Sequence, residues 1–155
     1  MLSAHLVQMI EDHAEELTRG VIADLQTNRL TAHYHHLSGD EVHRRTYEVY
    51  RHLGHWLSSK TEAAIECNYT DLAKRRHAEG VPVSEVVYAL ILTKHHLREY
   101  VRFCGLTDSA VDLHRDRELQ RLVGEFFDKA VYYTVRAFEE ELGRQHAERA
   151  IKHAA

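Results

Sequence analysis

The chain is poor in the residues that break helices and make turns. It has one proline, Pro82, and seven glycines among 155 residues. Sheet proteins need frequent turns, and turns need glycine and proline. The alternation of apolar and polar positions that marks half-buried strands is also absent. The sequence therefore predicts an all-α protein.

Several functional classes lack their signatures. Acidic and basic residues are interspersed at a formal net charge of -4, without a basic run of five, so nucleic acid is not an expected partner. The longest apolar run, Val86 to Leu92, is too short to cross a bilayer. The first residues lack the charged and apolar regions of a secretion signal, so none is expected. Cys67 and Cys104 lack zinc or redox spacing. These features favour a cytoplasmic protein with no membrane partner.

Length and composition fit one compact domain. Hydrophobic residues make up 44% of the chain and charged residues 28%, a normal globular balance. After Gly143 apolar residues thin out, while helix-forming Ala, Glu, Arg and Lys continue. We therefore expect a domain over residues 1–145 and a helical tail over residues 146–155.

Apolar residues recur at helical spacing in five segments. Ser3 and Asp40 are the predicted N-caps of the first two helices. Gly80 and Pro82 predict a helix stop followed by a helix start. The predicted helices span 3–26, 40–57, 61–78, a segment from Val83 or Ser84 to Cys104, and a segment from Asp108 or Asp112 to the chain end. Residues 27–39 are predicted to form a loop.

The last helix carries two apolar stripes instead of one. A helix on the surface of a monomer needs a single stripe, so the second stripe predicts a homodimer interface. The alternative is one central helix in a monomer. The first stripe is Leu119, Leu122, Phe126, Ala130, Tyr133 and Ala137. The predicted interface is Val123, Phe127, Val131, Val135, Phe138 and Leu142.

Histidine is the abundant reactive residue, with fourteen copies. Neither Glu-x-x-His nor His-Glu-x-x-His occurs, so the di-iron bundle site and the zinc hydrolase helix are not expected. His33, His35 and His36 fall in the predicted loop without a carboxylate or cysteine at metal-ligand spacing. We interpret them as an exposed polar loop and predict no metal site.

Two further groups of histidines lie on predicted helices. Glu48, His52 and His55 share one face, which we interpret as a polar, solvent-facing side. His95 and His96 are adjacent, so they point about 100° apart on a helix. His95 follows an apolar stripe and has Glu99 four residues later. This spacing predicts a core or interface histidine.

No signature of an enzyme is visible. The sequence contains no Gly-rich phosphate loop, nucleophile elbow or paired-acid motif. Cys67 and Cys104 lie within helical patterns, where buried inert thiols are the usual case. A haem ligand would be a histidine beside an apolar pocket. His77 and His95 are the candidate ligands if haem binds.

Residues 75–90, RRHAEGVPVSEVVYAL, join a helix with a basic end to an apolar helix through Gly-Val-Pro-Val. Together with LSGDEV at 37–42, this segment resembles the N-terminal sensor domain of RsbR-type proteins (RsbT co-antagonists, including RsbRD) of bacterial stress signalling. The resemblance runs from about His5 to Leu142.

The resemblance implies a globin-like helical bundle that dimerises through its last helices and does without haem. It also implies a signal that passes down the terminal helix to an output domain, either a phosphorylated antagonist domain or a histidine kinase. We therefore expect a non-enzymatic, homodimeric sensory domain. The alternative is a globin-like sensor that binds haem or another cofactor.

Overall fold

A computed structural model describes residues 4–58, 61–104 and 110–154, the side chain of residue 112 excepted. Within these ranges the chain is helical and contains no strand. An all-α bundle with a long C-terminal helix is therefore confirmed. The helices are α1 (Ala4–Asp12), α2 (Ala14–Thr27), a 3-10 helix (Arg29–His36), α3 (Gly39–Arg51), α4 (Leu53–Trp56), α5 (Glu62–Ala78), α6 (Val83–Cys104) and α7 (Ala110–Ala154).

His13 interrupts the first predicted helix. Its backbone is not helical, with φ -105° and ψ 18°, and its N–H lies 3.1 Å from the carbonyl of Met9 and 3.2 Å from that of Ile10. The imidazole Nδ1 also approaches the Met9 carbonyl, at 2.7 Å. The prediction of one continuous helix was wrong here, and its proposed cap, Ser3, lies outside the described residues.

Residues 29–36 form a 3-10 helix where the sequence predicted a loop. The Asn28 side chain accepts the N–H of Leu30 at 2.9 Å. The Thr31 hydroxyl donates to the carbonyl of Leu25 at 2.8 Å. Polar side chains that bond to nearby backbone favour such short turns over α-helix. Because these side chains are polar, the segment shows no helical spacing of apolar residues, and the sequence did not predict a helix there.

The second predicted helix is also divided. His52, with φ -117° and ψ 33°, separates α3 from α4. Helix α3 begins at Gly39, and Asp40 lies in its first turn together with Glu41. The prediction that Asp40 is the N-cap was therefore wrong. Both carboxylates still lie at the positive end of the helix dipole, where negative charge is stabilising.

The turn between α5 and α6 follows the prediction. Gly80 has φ 77°, a left-handed conformation that glycine adopts at low cost. Its N–H bonds to His77 O at 3.1 Å, and the N–H of Val81 bonds to Arg76 O at 3.0 Å. These two bonds make a Schellman motif. The carbonyl of Pro82 then accepts the N–H of Glu85 at 3.1 Å and so opens α6.

Helix α7 packs against α5 and α6. Its 45 residues span about 68 Å at 1.5 Å per residue. Buried side chains along it end at Phe138, although the helix continues to Ala154. Among the described residues, no helix combines the length and the apolar character that a membrane span requires. The buried α7 residues are Leu119, Val123, Phe126, Phe127, Ala130, Thr134, Ala137 and Phe138.

Candidate functional site

A small cavity lies at the centre of the bundle, between α2, the 3-10 helix, α3, α5 and α6. Its volume is about 50 Å³, which is space for about four water molecules. The polar lining comes from two arginines, two tyrosines, two threonines and an asparagine. These residues are Arg45, Arg76, Tyr34, Tyr69, Thr46, Thr93 and Asn68.

Arg76, on the last turn of α5, is the most unusual of these side chains because it is only 1% exposed. Its Nη2 lies 2.7 Å from Glu41 Oε2 and its Nη1 2.9 Å from Glu79 Oε1. The guanidinium carbon lies 5.4 Å from the centre of the Tyr34 ring, within cation–π range. The Arg76 Nε is buried, and no described residue accepts its proton.

Glu41 bonds to both arginines of the cavity wall, Arg45 and Arg76. Its carboxylate accepts a hydrogen bond from each of them, and Arg75 lies 3.5 Å away. Burial alone would raise the pKa of Glu41, but the hydrogen bonds from Arg45 and Arg76 outweigh it and lower that pKa. Glu41 therefore stays ionised at neutral pH.

Each arginine on the cavity wall contacts two carboxylates. Arg76 and Arg45 are both largely buried, and Glu41 is the buried carboxylate between them. The second partner of Arg45 is Asp71, at 2.8 Å, whose side chain is 73% exposed. Solvent screens an exposed carboxylate more strongly than a buried one. The second partner of Arg76 is Glu79, whose side chain is 27% exposed, so neither arginine of the wall lacks a counter-charge.

Two polar groups on the wall have no hydrogen bond within the described part of the chain. They are the hydroxyl of Tyr69 and the side-chain amide of Asn68. Burial raises the pKa of Tyr69, so its hydroxyl remains protonated. By contrast, the nearby Tyr50 hydroxyl donates to the Thr93 carbonyl at 2.7 Å. Neither the Tyr69 nor the Asn68 group is among the buried polar atoms without a partner, so water reaches both.

The structure does not bring the candidate haem ligands to this cavity. His77 is half-buried at the end of α5, and its ring packs edge-to-face on Phe138 at 5.7 Å between centroids. His95 is exposed on α6, and Glu99 bonds to Arg102 at 3.0 Å. The core alternative for His95, with Glu99 as partner, was therefore wrong, and the interface alternative stays a prediction. Neither histidine lines the cavity.

The structure also places the other two predicted groups of histidines. Glu48 and His52 approach to 3.5 Å with both side chains about half exposed, so the solvent-facing interpretation is confirmed. His55 is also exposed, and its ring lies 5.9 Å from that of Trp56 between centroids. His33, expected in an exposed loop, bonds through its ring and its backbone N–H to the carboxylate of Glu85 on α6.

Three histidine–carboxylate pairs link helices that are distant in sequence, and sequence reasoning missed all three. His96 Nε2 lies 2.9 Å from Asp24 Oδ2, which joins α6 to α2. No local pattern could have revealed them, because the partners lie on different elements. The other two pairs are His43 with Glu15 and His33 with Glu85.

Within the described ranges, no three His, Cys, Asp or Glu side chains are grouped as metal ligands. The ring of His35 instead approaches the Asn28 carbonyl at 3.1 Å. Cys67 and Cys104 are free thiols. Cys67 is exposed and Cys104 half-buried, so the expectation of buried thiols was wrong.

The predicted dimer stripe is divided by the packing of α7. Val123, Phe127 and Phe138 are buried in the core of their own chain. A side chain in that position has no surface left to bury against a partner, so assigning these three to the interface was wrong. Val131 and Val135 are half-buried, and Leu142 is 45% exposed. The stripe of these last three residues remains accessible.

Comparison of the chain with protein-family models, curated proteins and solved structures finds no match. The fold therefore defines the class as an all-α helical bundle with a long terminal helix. The resemblance to RsbR-type sensor domains stays a prediction.

Proposed function

We propose that the chain is a non-enzymatic sensory domain, globin-like and cytoplasmic, which works as a homodimer. It passes a signal through α7 to an output domain of antagonist or histidine kinase type, as the resemblance to RsbR-type sensors implies. The observation that carries this proposal is the course of α7. The helix is part of the core up to Phe138 and continues for 16 residues to Ala154 without a buried side chain.

A helix of this kind suits signal transmission for a physical reason. The 16 residues beyond Phe138 extend for about 24 Å at 1.5 Å per residue. An isolated helix of that length is marginally stable in water, so a partner or an attached domain would stabilise it. A change in core packing around Phe138 would reach that partner through a rigid element.

Dimerisation is proposed through Val131, Val135 and Leu142, which we call the α7 stripe. The spacings of four and seven residues keep the three side chains on one helix face. Val131 and Val135 are half-buried in the single chain and Leu142 is exposed, so each has apolar surface left for a partner. Burial of that surface favours association.

The test is the mass of the protein in solution, measured by size-exclusion chromatography with light scattering. We expect the wild type to be a dimer and Val131→Glu and Leu142→Glu to be monomers. A glutamate on an apolar interface would lose hydration without gaining a partner. Phe127→Glu is unsuitable for this test, because Phe127 is 2% exposed and the change would disrupt the core.

Leu30→Glu is the matched control. Leu30 is a leucine on the 3-10 helix that is 53% exposed, and replacing it introduces the same charge away from α7. It should remain a dimer. If Val131→Glu and Leu142→Glu were folded and still dimeric, or if the wild type were a monomer, the α7 stripe would not be the interface.

A further inference from the structure

The charges on the wall of the central cavity are already compensated. Arg45 is paired with Glu41 and Asp71. Arg76 is paired with Glu41 and Glu79. A charged ligand that entered the cavity would lose hydration and find no free counter-charge there. The cavity therefore favours a neutral ligand.

Most of the cavity wall is aliphatic. Side chains from α2, α3, α5 and α6 contribute to it, so the body of a ligand would lie on apolar surface and be removed from water. A ligand that fits this wall needs an apolar body. The aliphatic residues include Leu25, Val42, Val49, Leu72, Val86 and Leu90.

The Tyr69 hydroxyl is a polar group that opens into this apolar space. Tyr69 is only 3% exposed, yet water reaches its hydroxyl, so the space beside that hydroxyl is the cavity that the residue lines. The hydroxyls of Thr46 and Thr93 each donate to a backbone carbonyl of their own helix, at 3.0 and 2.8 Å. The Tyr69 hydroxyl bonds to no described residue and is free for a ligand.

The charge of Arg45 decides which way the Tyr69 hydroxyl points. Burial raises the pKa of Tyr69, and the positive charge of Arg45 opposes that rise, so Arg45 acts on this hydroxyl. A positive charge attracts the hydroxyl oxygen and turns the proton away from itself. The hydroxyl therefore serves as a donor, and the group that meets it in the cavity is an acceptor.

We propose that the central cavity binds a small neutral ketone, whose carbonyl oxygen accepts the proton of the Tyr69 hydroxyl and whose alkyl groups lie on the aliphatic wall. The volume suits a ligand of about four to six non-hydrogen atoms. Acetone and butanone fall in this range. The proposal rests on the sensory function given above and supplies its ligand class.

The lining favours a ketone over other molecules of the same size. A ketone has one acceptor and no donor, which matches one free hydroxyl donor in an aliphatic wall. A carboxylate of the same shape carries a charge for which the wall has no free partner. An amide of the same shape is neutral, but it loses more hydration than a ketone on entering an aliphatic space.

Tyr69 also connects the cavity to α7. Its ring packs edge-to-face on Phe126, at 6.0 Å between centroids, and Phe126 is buried on α7. A ligand that bonds to the Tyr69 hydroxyl therefore bears on a contact between α5 and α7. Such a ligand shifts the equilibrium between two packings of these helices only if it binds one of them more tightly.

The experiment uses the full chain, labelled with ¹⁵N and with ¹³C at its methyl groups, and titrated with acetone and butanone. The backbone amide of Tyr69 and the methyl groups of Val49, Val86 and Leu90 are followed by NMR. We expect saturable shifts with both ketones. Acetamide and acetate have the same number of non-hydrogen atoms as acetone. Titrated at constant ionic strength, they should bind at least about tenfold more weakly.

One variant removes the proposed donor, and a second makes the same chemical change elsewhere. Tyr69→Phe keeps the ring that packs on Phe126 and removes a hydroxyl that bonds to no described residue, so the fold should persist. Its affinity for acetone and butanone should fall about tenfold. Tyr132→Phe, at a residue of α7 that is 59% exposed, should bind both ketones like the wild type.

The inference is overturned if the ketones give no saturable shift, which is the result for a cavity that holds water alone. It is also overturned if acetamide or acetate binds as tightly as acetone, or if Tyr69→Phe binds like Tyr132→Phe. Light scattering on the same samples separates this failure from that of the sensory proposal. A dimer that binds no ketone would refute the ligand class alone. A monomer that binds ketone would refute the dimeric sensor and leave the ligand site standing.

Discussion

Arg76 and Glu41 connect the end of α5 to the first turn of α3, with Nη2 and Oε2 2.7 Å apart. Each residue lies at the helix end where its charge is stabilised by the helix dipole. Both side chains are nearly excluded from water. The pair therefore fixes how α3 and α5 meet beside the cavity.

Replacement of Arg76 by methionine should strongly destabilise the protein. The Glu41 carboxylate would stay buried with one partner fewer, and removal of one member of a buried pair costs about 3 to 5 kcal/mol. The free energy of unfolding, measured by urea denaturation, should fall by that amount. The double variant Arg76→Met with Glu41→Leu should recover part of the loss, because it removes the unpaired charge as well.

Arg144→Met is the control for this prediction. The Arg144 side chain is 58% exposed, and it pairs with Glu141 at 2.8 Å and with Glu148 at 2.6 Å on α7. Exposed pairs contribute little to stability, so no measurable loss is expected. An equal fall in Arg76→Met and Arg144→Met would contradict the special role of the buried pair.

A variant at Phe127 tests whether this residue lies in the core of its own chain or at a dimer interface. It is 2% exposed in the single chain, so Phe127→Ala should create a cavity and lower the free energy of unfolding by about 3 to 5 kcal/mol. Leu142→Ala, at an exposed position of the same helix, should leave that free energy nearly unchanged. Both are measured by denaturation at low protein concentration. If Phe127→Ala kept full stability and only weakened the dimer, Phe127 would face a partner.

The turn between α5 and α6 could be predicted because its causes are local. Gly80 supplies a positive φ, and Pro82 cannot continue a helix. The breaks at His13 and His52 could not be predicted in this way. Histidine has an ordinary helix propensity, and neither break contains a proline.

The packing of α7 shows a second limit of prediction from sequence. Periodicity showed that two stripes were apolar, but it does not report how many neighbours a helix has. Because α7 contacts both α5 and α6, much of the second stripe is buried within the chain. Likewise, the Arg76–Glu41 pair belongs to two helices whose contact no local pattern encodes, so sequence reasoning missed the cavity and the ion pairs beside it.

The haem alternative has a direct test in the absorption spectrum. The central cavity of about 50 Å³ has no histidine in its lining, and a haem needs an apolar pocket beside its axial ligand. We expect purified protein mixed with haemin to show no Soret band of coordinated haem. His77→Ala and His95→Ala should give the same spectrum as the wild type. A sharp Soret band lost in either variant would establish haem binding.

The pair of Asp24 and His96 predicts a loss of stability in acid. The hydrogen bond from His96 lowers the pKa of Asp24 below its ordinary value of 3.8. A carboxyl whose pKa is lower in the folded state binds protons more readily when unfolded. Asp24 therefore adds to the free energy of unfolding above pH 3.8. This addition is lost as the pH falls through the pKa that Asp24 has in the folded protein.

Asp24→Asn should remove this contribution, so its stability should fall less steeply than that of the wild type as the pH drops below 3.8. The measurement is the urea midpoint at a series of pH values. Glu139→Gln, an exposed carboxylate on α7, is the control and should follow the wild-type curve. Parallel curves for Asp24→Asn and the wild type would show that His96 does not hold Asp24 ionised in the folded protein.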